Sequence, residues 1–100
     1  MNKTDILYQS IVDDEAEKFL FKSIDEFSHF SEYGTIQKTV DQKKVIVGFW
    51  HHKFGDNLHH IVFQAERKVF LFLHRKYSSG VKLENGKISK LNSTEIGNYD

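Results

Sequence analysis

The chain contains no cysteine and no proline. Without cysteine it has no disulfide, no thiolate nucleophile and no Cys-ligated zinc or iron–sulfur site, which excludes a disulfide-stapled secreted scaffold and fits a reducing cytoplasm. No apolar run approaches the roughly 20 residues of a membrane span, and the polar start lacks the basic flank and apolar stretch of a signal peptide. We therefore expect a soluble, cytoplasmic protein with no membrane partner.

Net charge is also absent, because 14 Lys and Arg balance 14 Asp and Glu. A neutral chain has no overall field that draws it onto nucleic acid or anionic lipid. The charges are nevertheless uneven: acidic residues outnumber basic ones in residues 1–41, while basic residues outnumber acidic ones in 42–91, which also hold five of the six histidines. Hydrophobic residues make up 39% of the 100 residues, which suits one core and predicts a single domain over residues 1–100.

The clearest periodicity predicts a helix over residues 11–33. Ser10 and Asp13 resemble a capping box at its start, and Gly34 stands where a left-handed C-cap is expected. We expect the helix to pack through one apolar stripe. The apolar residues that recur at spacings of three and four are Val12, Ala16, Phe19, Leu20, Ile24, Phe27 and Phe30.

After Gly34, β-branched and aromatic runs between turn signals predict an antiparallel meander. The predicted strands are 35–40, 44–54, 58–65 and 69–77, with a small hairpin over 81–91. Turns are expected at 55–57, at 66–68 and at Asn85-Gly86, a pair that suits a type I′ loop. The predicted fold class is therefore α+β, with an N-terminal amphipathic helix on one face of an antiparallel meander of four to six strands and a loose tail over 92–100.

Residues 58–78 also fit a helix, because several of their apolar residues fall on one helical face. Strands are favoured, since a helix would leave Phe63, Phe70 and Leu71 outside the stripe and since these runs have the β-branched and aromatic character of strands.

Regular two-residue hairpins assign the strand side chains to two faces, because neighbours along a strand point to opposite sides. One face, expected under the helix, collects Ile46, Gly48, Trp50, His52, Phe54, His59, Ile61, Phe63, Ala65, Phe70, Phe72, His74 and Lys76. The opposite, open face has an apolar end that a homodimer would bury, formed by Val45, Val47, Phe49, Val62, Leu71 and Leu73. Its polar end is formed by His51, Lys53, His60, Arg75 and Tyr77.

This polar end has the chemistry that a phosphodiester requires. Lys53 and Arg75 would hold phosphate, His60 or His51 would act as acid or base, and Tyr77 would stack or donate a proton. No metal is expected, because adjacent histidines in a strand point to opposite faces and each face receives only two. The other interpretation is that exposed strand ends simply carry polar residues.

Three segments resemble the sheet of the RelE/ParE-like toxins of toxin–antitoxin systems, over about residues 48–77. They are Gly48-Phe49-Trp50, the run LHHIVF at 58–63 and the run VFLFLHRKY at 69–77. The resemblance implies that RNA, free or on the ribosome, is cut on the open side of the sheet and that an antitoxin covers this site. His60 falls where the family usually has a phosphate-holding arginine, and Arg75 and Tyr77 fall near its terminal basic and tyrosine positions.

The leading hypothesis is a toxin-type protein that binds RNA and, in its stronger form, is a metal-independent endoribonuclease without a cofactor. The alternative is a non-enzymatic interaction protein, such as an immunity protein, an antitoxin-like protein or a phage-encoded inhibitor that docks onto a basic partner. A homodimeric domain of another function is the third hypothesis.

Overall fold

The computed structural model describes residues 2–99, so Met1 and Asp100, the last residue of the predicted tail, lie outside the described residues. An N-terminal helix packs on a five-stranded antiparallel sheet whose strand order follows the chain. This confirms the predicted α+β class. The elements are α1 (Lys3–Glu17), a 3₁₀ turn (Lys18–Phe21), α2 (Ile24–Ser28), β1 (Tyr33–Val40), β2 (Lys43–Gly55), β3 (Leu58–Phe70), β4 (Leu73–Glu84), β5 (Lys87–Lys90) and α3 (Ser93–Gly97).

The prediction of one helix over 11–33 is wrong at both ends. Helix α1 begins at Lys3, where the side chain of Asn2 caps it by accepting from the Asp5 amide. Ser10 lies inside α1 and donates to the Leu7 carbonyl instead of capping. The chain then becomes extended at Lys22, and a capping box of Ser23 and Glu26 starts α2. One apolar periodicity therefore runs across two helices that share a core.

Residues 58–78 are strands, as favoured, but the turn expected at 66–68 is wrong. Strand β3 runs to Phe70, the turn is Leu71-Phe72, and β4 continues from Leu73 to Glu84. The charged run stays extended because its residues pair across the ribbon, as Glu66 does with Lys76. The Asn85-Gly86 turn is confirmed, with the positive φ values of 51° and 78° that a type I′ loop needs.

A β-bulge at each end of β3 overturns the predicted faces of the two strands beside it, β2 and β4. The register shifts by one residue between Lys53 and Gly55, and again between Lys68 and Phe70. Each bulge adds one unpaired residue, which places odd-numbered residues of β2, β3 and β4 on the same face. The predicted faces followed from regular hairpins, so they combined the odd-numbered residues of β3 with the even-numbered residues of β2 and β4.

The helices cover the odd-numbered face. The odd-numbered residues of β3 were predicted there, whereas the even-numbered residues of β2 and β4 that were predicted beside them lie on the other face. Its core joins Val12, Phe19 and Phe27 of the helical segment to Val47, Phe49, Ile61, Phe63 and Val81 of the sheet. The expected homodimer patch is therefore divided within the described residues: Val45, Val47 and Phe49 are buried in this core, Val62 is buried on the other face, and Leu71 and Leu73 are exposed.

The predicted loose tail is also wrong for residues 92–99. Asn92 and Glu95 form a capping box that starts α3, and Lys82 of β4 forms an ion pair with Glu95 at 2.9 Å. Leu91, just before α3, lies over Gly80, where an added Cβ would fall 2.6 Å from the Leu91 side chain and 2.7 Å from the Ile61 carbonyl. The glycine thus lets the C-terminal segment approach the outer face of the sheet closely.

Candidate functional site

The five predicted site residues do not converge. His51 and Lys53 lie on the helix-covered face near one end of the sheet, and Arg75 and Tyr77 lie on the same face near the other end. Tyr77 is four residues from Val81, the β4 residue level with His51, which corresponds to about 13 Å along the strand. His60 lies on the opposite face of the sheet from His51, because the bulge in β2 places the even-numbered residues of β2 and β3 on the same side.

Arg75 and Tyr77 belong to a polar cluster around the buried Asp5 carboxylate, which we call the Asp5 cluster. The Asp5 carboxylate is 3% exposed and accepts from Arg67 Nη2 at 2.9 Å, from Arg75 Nη1 at 2.7 Å and from the Tyr77 hydroxyl. Arg67 Nε also donates to the Tyr77 hydroxyl at 3.3 Å. The hydrogen bond from Tyr77, assisted by both guanidinium groups, holds the pKa of Asp5 below its usual value.

The Asp5 cluster ties the start of α1 to the outer halves of β3 and β4. Both carboxylate oxygens are engaged, and Tyr77 is buried with its ring against Tyr8 at a centroid distance of 5.3 Å. Arg75 binds Asp5 through Nη1 while its side chain remains 56% exposed, so Asp5 offsets its charge without enclosing it. The cluster therefore acts as a structural clamp.

His51 forms a second buried polar group with His59, the histidine pair. His51 Nε2 and His59 Nδ1 are 2.9 Å apart, and His51 Nδ1 lies 2.9 Å from the Phe30 carbonyl. A carbonyl can only accept, so His51 donates from Nδ1 and accepts at Nε2 from His59 Nδ1. This assigns one tautomer to each ring.

The histidine pair is enclosed by α2 and by the segment that follows it. The Phe27 ring packs edge-on against His51 at 6.0 Å, and both histidines are less than a tenth exposed. Burial lowers the pKa of His51, opposed by its bond to the Phe30 carbonyl. His51 is therefore a neutral bridge between sheet and helices, without access to a bound substrate.

The open, even-numbered face carries a row of rings, which we call the aromatic row. Trp50, His52 and Phe54 alternate along β2, with the rings of His52 and Phe54 stacked at 6.3 Å. Tyr33 pairs with Trp50 from β1, and His60 pairs with His52 from β3. Trp50, Phe54 and Tyr33 are 42%, 60% and 74% exposed, so these rings remain accessible.

Tyr99 completes the aromatic row from the C-terminal segment. Its hydroxyl lies 2.8 Å from His60 Nδ1, its carbonyl accepts from Gln64 Nε2 at 3.2 Å, and its ring lies 4.8 Å from that of His52. Partial burial lowers the pKa of His60 and raises that of Tyr99. Both groups are therefore neutral at pH 7 and can offer hydrogen bonds to an uncharged ligand.

Two shallow hollows lie on either side of Trp50. One, of about 240 Å³, is lined by Trp50, His52, Val62, Gln64 and Tyr99. The other, of about 410 Å³, lies towards Lys44, Ile46, Gly48 and Glu66. A Cβ at Gly48 would fall 3.1 Å from the Trp50 ring, so this glycine allows the indole to lie along the sheet.

Sequence reasoning missed the aromatic row because it placed these rings under the helix. The alternation of Trp50, His52 and Phe54 was visible in the sequence, but only the bulges decide which face is open. Lys53, the remaining predicted residue, is exposed beside the buried His59.

Within residues 2–99, no three histidine, cysteine or acidic side chains are arranged to hold a metal ion. None of the helices in this range is long and apolar enough to cross a membrane. Comparisons with protein-family models, with curated proteins and with solved structures find no match to this chain.

Proposed function

We propose that the protein binds single-stranded RNA on the aromatic row and does not cleave it. The observation that carries this proposal is the set of accessible rings on the open face of β1 to β3, with Trp50 at its centre between two hollows. Unpaired bases stack on aromatic side chains of exposed sheet surfaces, as they do in several RNA-binding folds.

The polar groups of the row suit base edges. Gln64, His52 and His60 lie among the rings and offer donors and acceptors within reach of a base stacked on Trp50 or Tyr99. Hydrogen bonds of this kind provide base preference, while stacking is sequence-tolerant. Single strands fit better than duplexes, because duplex bases present neither face for stacking.

The charge distribution supports modest affinity. Lys44 lies by the larger hollow, but Glu66 lies there too, and the chain as a whole is neutral. Few phosphates would be neutralised, so the affinity should depend only weakly on salt concentration.

We infer binding without cleavage because the four predicted catalytic residues are divided among separate parts of the molecule. Arg75 and Tyr77 are engaged by Asp5, His51 is enclosed with His59, and His60 alone of the predicted catalytic residues reaches the open face. One imidazole can bond to a base or a ribose, but in-line cleavage also needs a second acid–base group and a stabiliser of the phosphorane charge.

Intrinsic fluorescence tests the proposal directly, because Trp50 is the only tryptophan. We expect a mixed-sequence RNA of about ten nucleotides to quench it saturably, and duplex RNA to do so far less. By fluorescence anisotropy with labelled RNA, Trp50→Ala or Phe54→Ala should weaken binding about tenfold, since one stacked base contributes about 1–3 kcal/mol.

The matched control is Phe21→Ala, which removes a ring 91% exposed that lies outside the row. Equal loss of affinity from Phe21→Ala, or no saturable quenching, would contradict the proposal. RNA that is shortened by the wild-type protein but not by the double variant Arg75→Ala, His60→Ala would instead favour the endoribonuclease hypothesis.

A further inference from the structure

The β3–β4 hairpin extends beyond the sheet as a two-stranded ribbon. The ladder between β2 and β3 ends at Val47 and Ala65, whereas that between β3 and β4 continues to Phe70 and Leu73. Residues 66–76 therefore pair only with each other. The Asp5 cluster holds the root of this ribbon against α1 through Arg67 and Arg75.

The tip of the ribbon is five consecutive large apolar residues. Their exposed fractions are 42% for Val69, 65% for Phe70, 64% for Leu71, 92% for Phe72 and 64% for Leu73. None of the five belongs to the hydrophobic core cluster of the described residues. Contiguous apolar surface of this kind on a soluble fold marks an interaction site.

The tip is apolar on both sides of the ribbon. Neighbouring residues of a strand point to opposite faces, and both Val69 and Phe70 are exposed. A groove on a folded protein would cover one face of such a ribbon and leave the other in water. A lipid phase surrounds both faces, so the exposure pattern favours a membrane over a protein groove.

Cationic side chains form a collar directly behind the tip. Lys68 pairs with His74, Arg67 with Arg75, and Glu66 with Lys76, so four basic residues and one acidic residue lie at this level. Asp5 offsets part of the charge on the inner side, whereas Lys68 and Lys76 are exposed on the outer side. An apolar tip with a basic collar is complementary to an anionic lipid surface.

We propose that the β3–β4 hairpin inserts its tip into the interface of an anionic lipid membrane, with Lys68 and Lys76 at the headgroups. Insertion stays shallow, at the boundary of headgroups and acyl chains, because the peptide groups of the Leu71-Phe72 turn lie outside the β3–β4 ladder and need water. The sequence-based expectation of no membrane partner rested on the lack of a spanning segment and on the neutral charge of the whole chain. A hairpin that enters one leaflet needs no spanning length, and its basic collar is a local charge.

This site is independent of the RNA proposal. Trp50 is level with Gly80 of β4, which is seven residues from Leu73, or about 23 Å along the strand. Variants in the aromatic row therefore test the RNA proposal alone, and variants at the tip test the membrane proposal alone.

Vesicle co-sedimentation of the full chain tests the inference. We expect binding to vesicles of phosphatidylcholine and phosphatidylserine in about a two-to-one ratio, little binding to pure phosphatidylcholine, and loss of binding at high salt. Phe72→Asp should reduce the partition coefficient at least about tenfold, because it removes a ring that the lipid would bury. Lys68→Gln with Lys76→Gln should reduce it about 25-fold, since each lysine near an anionic surface contributes about fivefold.

Phe21→Asp is the control, because it places the same charge on a similarly exposed ring outside the hairpin. Phe72 is 92% exposed, so Phe72→Asp should leave the fold intact, which circular dichroism checks. An unchanged partition for Phe72→Asp, equal binding to neutral vesicles or no binding at all would overturn the inference.

A tryptophan placed at the tip distinguishes insertion from surface adsorption. In the variant Trp50→Phe, Phe72→Trp, emission should shift to the blue on anionic vesicles and be quenched by lipids brominated in the acyl chains, while the wild-type Trp50 should show neither effect. Emission at the tip that stays unshifted overturns insertion. A dimer in sizing chromatography that Phe72→Asp converts to monomer would identify a second copy as the occupant and also overturn it.

Discussion

The two faces of the sheet differ in how much of their surface the rest of the chain covers. The odd-numbered face is sealed by α1 and α2, and even its polar groups are paired: Asp5 with two arginines and a tyrosine, His51 with His59. The C-terminal segment, with Leu91, α3 and Tyr99, covers part of the even-numbered face, and rings are exposed beside it. Residues of the first face should therefore determine stability, and those of the second should determine binding.

The contrast is sharpest for two phenylalanines of the same size on opposite faces. Phe63 is fully buried between Phe19 and Phe49, at ring distances of 5.5 Å and 6.2 Å, whereas Phe54 is 60% exposed. We expect Phe63→Ala to lower the free energy of unfolding by about 3–5 kcal/mol. Phe54→Ala should change it by less than about 1 kcal/mol. Urea unfolding followed by circular dichroism measures both, and similar losses would remove the distinction between the faces.

The Asp5 cluster tests whether a paired polar group can matter as much as packing. Asp5→Ala leaves Arg67 and Tyr77 without their acceptor beneath α1, so we expect the melting temperature to fall by about 10 °C or more. Arg75→Ala should cost much less, because that side chain is 56% exposed. Thermal unfolding at pH 7 separates the two variants. A shift below about 2 °C for Asp5→Ala would mean that the cluster does not clamp α1.

The pH dependence of stability should separate the histidine pair from the Asp5 cluster. Burial lowers the pKa of His51 below its usual 6.5, so the unfolded chain binds the proton more readily. Stability from this group is complete above about pH 6.5 and falls as the pH drops below it, by at most about 1.4 kcal/mol per pH unit. The pKa of Asp5 is lowered from 3.8, so its contribution is lost only below that pH.

His51→Gln is the variant that isolates the first effect, because the amide can still donate to Phe30 and accept from His59. Unfolding measured between pH 7 and pH 5 should have a smaller slope in this variant. His60, whose pKa is also lowered by burial, contributes in the same window, so some slope should remain. An identical slope in wild type and His51→Gln would show that the histidine pair does not titrate with folding.

Local signals predicted most of the fold. The meander, the strands within 58–78 and the Asn85-Gly86 turn follow from side-chain type and turn chemistry. The capping box of Asn92 and Glu95 was also readable in the sequence, although α3 was predicted as tail. The bulge at Phe54 carried one readable sign, because the next residue, Gly55, is a glycine with a φ of 153°, but that glycine was assigned to the turn alone. The bulge at Val69 was not readable, because no glycine or other residue that marks an irregular strand stands there.

The candidate sites depended on those bulges and on long-range contacts. The bulges place His51 under the helices, away from His60, and turn the rings of β2 outward. The contact of Asp5 with Tyr77 joins residues 72 positions apart, and no local sequence pattern predicts such a contact. The sequence therefore indicated that His60 and the aromatic residues are notable. It wrongly grouped His60 with His51, Arg75 and Tyr77, and it placed the rings of β2 on the wrong face.

The extra residue at each end of β3 also determines where the chain tolerates a change of length. Loss of Phe54 alone would leave Lys53 opposite His59 and Gly55 opposite Leu58, now in a regular hairpin. Loss of Val69 would do the same for Lys68 with His74 and Phe70 with Leu73. Loss of any residue within the paired part of β3 would instead exchange its inner and outer side chains beyond that point. Natural deletions in this hairpin region should therefore accumulate at those two positions.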